Sequence, residues 1–193
     1  DPGAAHLPRA GIVHRLDKDT SGLMVVGRTL VAVTALVRDM AQRDIHRRYM
    51  ALAQGDVGTA AFTVDAPIGR DPAVRVRMAV TALGRAARTD VQPVAFRHGV
   101  SAVWCTLHTG RTHQTRVHLA HRGHPLVSDA VYGGFPALGM ARQALHAAEL
   151  AFAHPVSGVP LRFEAAPPDD QLLARGEASI DRAPGLVLIG RRH

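Results

Sequence analysis

The chain has 193 residues, 47% of them hydrophobic, which is enough for one good core, and no run approaches the roughly 18 apolar residues of a membrane span. Its 23 Lys and Arg against 16 Asp and Glu give a formal charge of +7 and a pI near 11.1, so a polyanion is the leading partner, while aromatics at 4% argue against a base-stacking platform. The single cysteine, Cys105, excludes an internal disulfide and a thiolate zinc cluster, and the expectation is a soluble, cytoplasmic protein.

The opening Asp1, Pro2 and Gly3 without a methionine predicts a piece of a longer chain. Residues 12–16 read as a strand, 18–22 as a polar turn and 23–27 as a second, fully apolar strand. Thr29 can cap a helix over 30–43, where Leu30, Val33, Val37 and Met40 recur at helical spacing. Strands follow at 49–53, 62–64, 74–80, 91–96 and 100–108, separated by Gly, Pro and Asp turns such as 67–72. Thr112 is placed to cap a helix that runs to Arg122 and stops at Gly123. A last strand pair covers 145–152 and 160–164, and a short helix is expected around 170–174. The pattern is α+β with a mostly antiparallel sheet, followed by a basic tail at 176–193.

Two blocks carry the chemistry. In an extended segment Val13, Arg15 and Asp17 share one face, so the aspartate leaves the strand where it can look into a cleft. Asp19, in an Asp-Thr-Ser-Gly stretch, is ordinary turn chemistry. On the helix over 112–122, His113, Arg116, Val117 and Ala120 form one stripe, which turns Arg116 inward. Losing one member of a buried ion pair costs about 3–5 kcal/mol, so a carboxylate is expected beside that guanidinium, and Asp17 is the candidate. A guanidinium there favours an anion ready to act as nucleophile or base. Tyr49 heads a strand directly after His46, Arg47 and Arg48; it can line a pocket and stack on a base, or be an ordinary core tyrosine.

The stretch His14, Arg15, Leu16, Asp17 followed by Thr20, Ser21, Gly22 resembles the signature of RluA-type pseudouridine synthases. Gly110-Arg111-Thr112-His113-Gln114, Arg116-Val117-His118-Leu119 and Gly123-His124-Pro125 resemble that family's second signature, continued by Asp129 and Tyr132-Gly133-Gly134. Leu145-His146-Ala147, Phe152, His154-Pro155 and Gly158 resemble its closing segment, and Arg47, Tyr49 and Ala51 its intervening Lys/Arg-x-Tyr-x-Ala pattern. Residues 9–13 and 22–26 are most similar to the RluD-like branch, which acts on large-subunit ribosomal RNA. Thr115 and Ser128 depart from the usual residues, and the family's upstream strands and S4-like domain have no counterpart here.

The resemblance implies a pseudouridine synthase catalytic core over 1–175, a mixed sheet flanked by helices and lacking N-terminal strands. It implies an isomerase that needs neither cofactor nor metal and acts as a monomer on RNA, away from membranes. By the same resemblance Asp17 is the nucleophile or base, Arg116 its ion-pair partner and Tyr49 the ring against the target base. Arg15, Arg47, Arg111 and His113 are expected to hold RNA. The alternatives are a non-catalytic basic RNA-binding module and a metal hydrolase built on His113, His118, His121 and His124. The second is weak, because their spacing does not align three imidazoles and no His-Glu-x-x-His motif occurs.

Overall fold

The computed structural model describes residues 6–74 and 76–174; the tail expected at 176–193 lies outside them. In chain order the elements are β1 (Ser21–Gly22), α1 (Leu30–Gln42), β2 (His46–Gln54), β3 (Phe62–Asp65), β4 (Ile68–Arg70), β5 (Met78–Val80), β6 (Arg88–Arg97), β7 (Val100–Leu107), α2 (Gln114–His121), β8 (Leu145–Ala153), β9 (Pro160–Glu164) and α3 (Asp169–Ala174). Seven strands form one sheet in the order β1-β8-β2-β7-β6-β3, with β9 also on β8, and β4–β5 is a separate two-stranded ribbon. All pairings are antiparallel except β1 on β8, so the α+β, mostly antiparallel expectation holds.

The centre of the sheet is buried on both faces. From Tyr49 to Gln54 every residue of β2 is buried, because period-two alternation sends Tyr49, Ala51 and Ala53 into one core with Leu119 of α2, and Leu52 into another with Val100, Val127 and Met140. Cys105 lies in the first of these cores. Ala51, Ala53, Leu119 and Leu126 are all fully buried in that first core.

α1 starts as expected, with Thr29 Oγ1 accepting the Ala32 amide proton at 3.2 Å, and stops where Arg43 takes φ 69° and returns its N–H to Asp39 and Met40 carbonyls. Its buried face is rotated from the expected one. Leu36 packs with Ile45 and Leu150, with Met40 partly buried beside them, whereas Leu30 and Val37 are exposed. The strands expected at 12–16 and 23–27 are extended chain with little ladder: Ile12 bridges Val26, and the true pairing is Ser21 and Gly22 alongside His146 and Ala147. The strand expected at 74–80 shrinks to β5. Its partner β4 sits inside a stretch read as turn, where Pro67 and Asp71 masked three extended residues.

Candidate active site

Three segments distant in sequence meet at the end of the sheet around a cavity of about 410 Å³, within the size range of small-ligand pockets. The chain from Val13 to Asp17 and Thr20 forms one wall, Tyr49 and Leu145 from adjacent central strands form the floor, and Gly110 to Thr115 form the opposite wall. Asp17, Tyr49, Arg15, Arg47, Arg111 and His113 all line this space.

Arg116 projects from the buried face of α2. Its Nη1 stands 3.5 Å from Asp17 Oδ2, so the helix stripe and the strand exit do converge. The expected partnership is nonetheless incomplete. The primary partner is Asp129, which takes both Nε at 2.7 Å and Nη2 at 2.8 Å in a bidentate bond. Side-chain exposures of 6% for Arg116, 1% for Asp129 and 14% for Asp17 rank the three: a sealed pair holds the guanidinium, and its remaining nitrogen meets a carboxylate open to the cleft. The sequence marked Asp129 only as part of a motif. A pair formed across a loop has no periodicity to reveal it.

Tyr132 was likewise noted only within that motif. Its ring lies against Arg116, 4.9 Å from the guanidinium carbon, and its hydroxyl is 2.7 Å from His113 Nδ1. The same hydroxyl oxygen accepts the Met78 amide proton at 3.1 Å, and His113 Nε2, on the far side of the ring, stands 4.0 Å from Asp17. Burial lowers the His113 pKa although Asp17 pulls the other way, so His113 faces the aspartate as a neutral ring and Arg116 brings the permanent charge.

His113 itself precedes α2. It takes φ 58°, and no side chain caps the helix, which corrects the expectation that Thr112 does so. The loop is held instead by buried Gln114, whose Oε1 accepts from the Thr109 hydroxyl and the Arg111 amide while its Nε2 donates to Arg88 O and Thr89 Oγ1. Each polar atom of that amide is satisfied, so the wall from Gly110 to Thr115 is pinned to β6.

The loop carrying Asp17 is fastened from the other side. Gln143 donates to Lys18 O and Thr20 Oγ1, Arg142 to Asp19 O, Ser21 Oγ meets His146 Nδ1 at 2.9 Å, and the Leu23 amide meets Ala147 O. Asp19 sits in the turn at φ 67°. Gln143 was not foreseen, because it stands before β8 with no pattern around it. Tyr49 is buried, and burial raises its pKa, which keeps the phenol neutral beneath the cavity.

Two other histidines of the metal alternative are engaged elsewhere. Buried His118 spans Thr89 Oγ1 and Ala66 O, and His124 meets Gln54 O. Among the described residues no three His, Cys, Asp or Glu are grouped to hold a metal ion.

The fold as a whole is that of known RNA pseudouridylate synthase domains. A human RNA pseudouridylate synthase domain containing 1 structure superposes with a TM-score of 0.66 at 26% identity, covering 89% of this chain and 81% of that one. The corresponding domain containing 4 gives 0.70 at 21% identity over 86% and 74%, a likeness of fold. The sequence profile of the RNA pseudouridylate synthase family matches residues 3–121, and the chain belongs to that family.

It is 49% identical over 183 residues to the ribosomal large subunit pseudouridine synthase D of Xanthomonas campestris, covering 88% of this chain and 55% of that protein. To the protein of the same name in Escherichia coli K12 it is 46% identical over 184 residues, covering 89% and 56%. The chain therefore spans a little over half the length of these curated relatives.

Proposed function

We propose that this chain is the catalytic part of an enzyme that converts uridine to pseudouridine in large-subunit ribosomal RNA, with Asp17 as the acting carboxylate. The observation that carries the reading is Asp17 at the rim of a nucleotide-sized cavity, 3.5 Å from a guanidinium that Asp129 already holds in place. The relatives' name supplies the RNA class.

The reaction breaks the N-glycosidic bond, turns the uracil and rejoins it to the sugar through C5. No electrons are gained or lost overall and no group leaves, so neither cofactor nor metal is called for. Asp17 serves as nucleophile or base, and Arg116 balances charge on it. Tyr49 lies under the uracil, while Arg15, Arg47, Arg111 and His113 face the RNA. Reaching the target base requires everting it, at a few kcal/mol, which contacts to flanking phosphates offset. The setting is the cytoplasm, and the working form is a monomer.

The test is Asp17→Asn in the full-length protein, assayed on unmodified large-subunit ribosomal RNA. RNA binding should persist within about threefold, and pseudouridine formation should vanish. Isomerisation retained by that variant removes Asp17 from the chemistry, and a wild-type protein that binds RNA without modifying it leaves a binding module.

A further inference from the structure

Arg47 stands in β2 two residues before Tyr49 and lines the cavity, but it is not part of the Asp17, Arg116 and Asp129 cluster. Its guanidinium lies against Gly110, where a Cβ would stand 2.7 Å from Nη1 and 3.4 Å from Nη2. Its Nε is buried with no hydrogen-bond partner, and among the described residues no carboxylate pairs with it. Burying a cation without a counter-charge is costly, and a fold keeps such a group only where something else repays it.

Its neighbour His14 sharpens the point. His14 Nε2 accepts the Val25 amide proton at 3.0 Å, so the ring's own proton sits on Nδ1, which is also buried and unpartnered. Burial, and after it the Arg47 charge, depress its pKa to about 4, so the ring is neutral. This side of the cavity therefore carries a full positive charge, with no acceptor competing for the outer nitrogens of Arg47. A neutral uracil carbonyl would leave that charge uncompensated. The anion that a nucleotide brings is its phosphodiester.

We propose that Arg47 is the seat of one backbone phosphate flanking the target nucleotide, and that position 110 is glycine because the seat needs that space. The inference rests on the RNA reading of the cleft and names the group bound at one place in it. Arg116, already shared between Asp129 and Asp17, is left to the reacting centre, so binding and chemistry are divided between two arginines.

The test compares wild type, Arg47→Met, Arg47→Lys and Gly110→Ala in the full-length protein, with an unmodified large-subunit ribosomal RNA transcript as probe. Binding is measured across a salt series, with kcat and KM for pseudouridine formation alongside. In Arg47→Met the slope of log K against log salt should become shallower by about 0.7–0.9, the signature of one lost phosphate contact. KM should rise about tenfold and kcat stay within about twofold, and Arg47→Lys should recover most of both changes, since a point charge also meets a phosphate.

An unchanged slope with unchanged KM overturns the proposal, and so does a loss confined to kcat, which would move Arg47 into the chemistry. If melting shows that Arg47→Met does not fold, Gly110→Ala decides: it keeps the charge but displaces it, and KM should rise, whereas an unaltered KM overturns the seat. A shallower slope in a protein that makes no pseudouridine sustains the phosphate seat while the isomerase reading fails.

Discussion

At the scale of single residues the centre of the molecule is one arginine between two acids that do different work. Asp129, sealed from solvent, fixes the guanidinium plane through two short bonds; Asp17, on the open side, receives the remaining nitrogen. Removing Asp129 should therefore do what removing Asp17 does not. Asp129→Asn leaves a buried charge without its main counter-ion, so stability should fall by about 3–5 kcal/mol, read from denaturant midpoints. Asp17→Asn should stay within about 1 kcal/mol of wild type, since Arg116 keeps its main partner. Equal stability of the two variants would contradict this division. In the same protein Arg116→Lys cannot bridge both acids, and kcat should drop about a hundredfold or more.

At the scale of elements, the sheet places the aspartate loop between two rigid supports. One is the wall pinned by Gln114; the other is the segment from Arg142 to Ala147, which bonds successive residues from Lys18 to Leu23. Arg142 also pairs with Asp170 of α3 at 2.9 Å, and Gln171 of α3 is fully buried with its amide on Met50 O, so the last helix steadies the same loop. Gln143→Leu should loosen the loop without emptying the cavity: kcat falls about tenfold to a hundredfold because Asp17 is misplaced, while KM changes little. A variant with normal kcat would show that the loop holds its shape unaided.

How much of this was legible depends on how local each contact is. The inward turn of Arg116 follows from helical spacing, and the emergence of Asp17 from strand alternation, so their meeting could be argued from order alone. Asp129, Tyr132 and Gln143 act across loops, where no period exists, and they were seen only as motif letters or not at all. β4 hid behind Pro67 and Asp71, and α2 begins after His113 with no side-chain cap from Thr112, while Gln114 takes the Arg111 amide from inside the fold.

At the scale of the whole molecule, part of the positive charge gathers beside the cavity. Arg43 at the end of α1, Arg85 before β6 and Arg111 in the cavity wall lie close enough that, after burial, the first two lower the Arg111 pKa, and Arg15 adds its charge near His113. Such a concentration of like charge suits the polyanionic substrate proposed for this cleft.

The buried histidines set a second global property. His14, His118 and His146 each have a depressed pKa, chiefly through burial, with His14 at about 4. The unfolded chain then binds protons that the native state refuses, so their contribution to stability is complete above the ordinary value of 6.5 and is lost as pH falls toward 4. The melting temperature should be level above about pH 7 and decline steadily from about 6.5 downward. A flat profile between pH 7 and 4.5 would mean these rings are protonated in the native state.

The β4–β5 ribbon reaches the candidate site through a backbone atom. Met78 touches Tyr132 by its amide, and the Tyr132 hydroxyl in turn meets His113, whose other nitrogen stands 4.0 Å from Asp17. Because the link runs through the main chain, it tolerates change at position 78 as far as that side chain's packing with Ile68, Val117 and Tyr132 allows, whereas proline, lacking the N–H, would cut it.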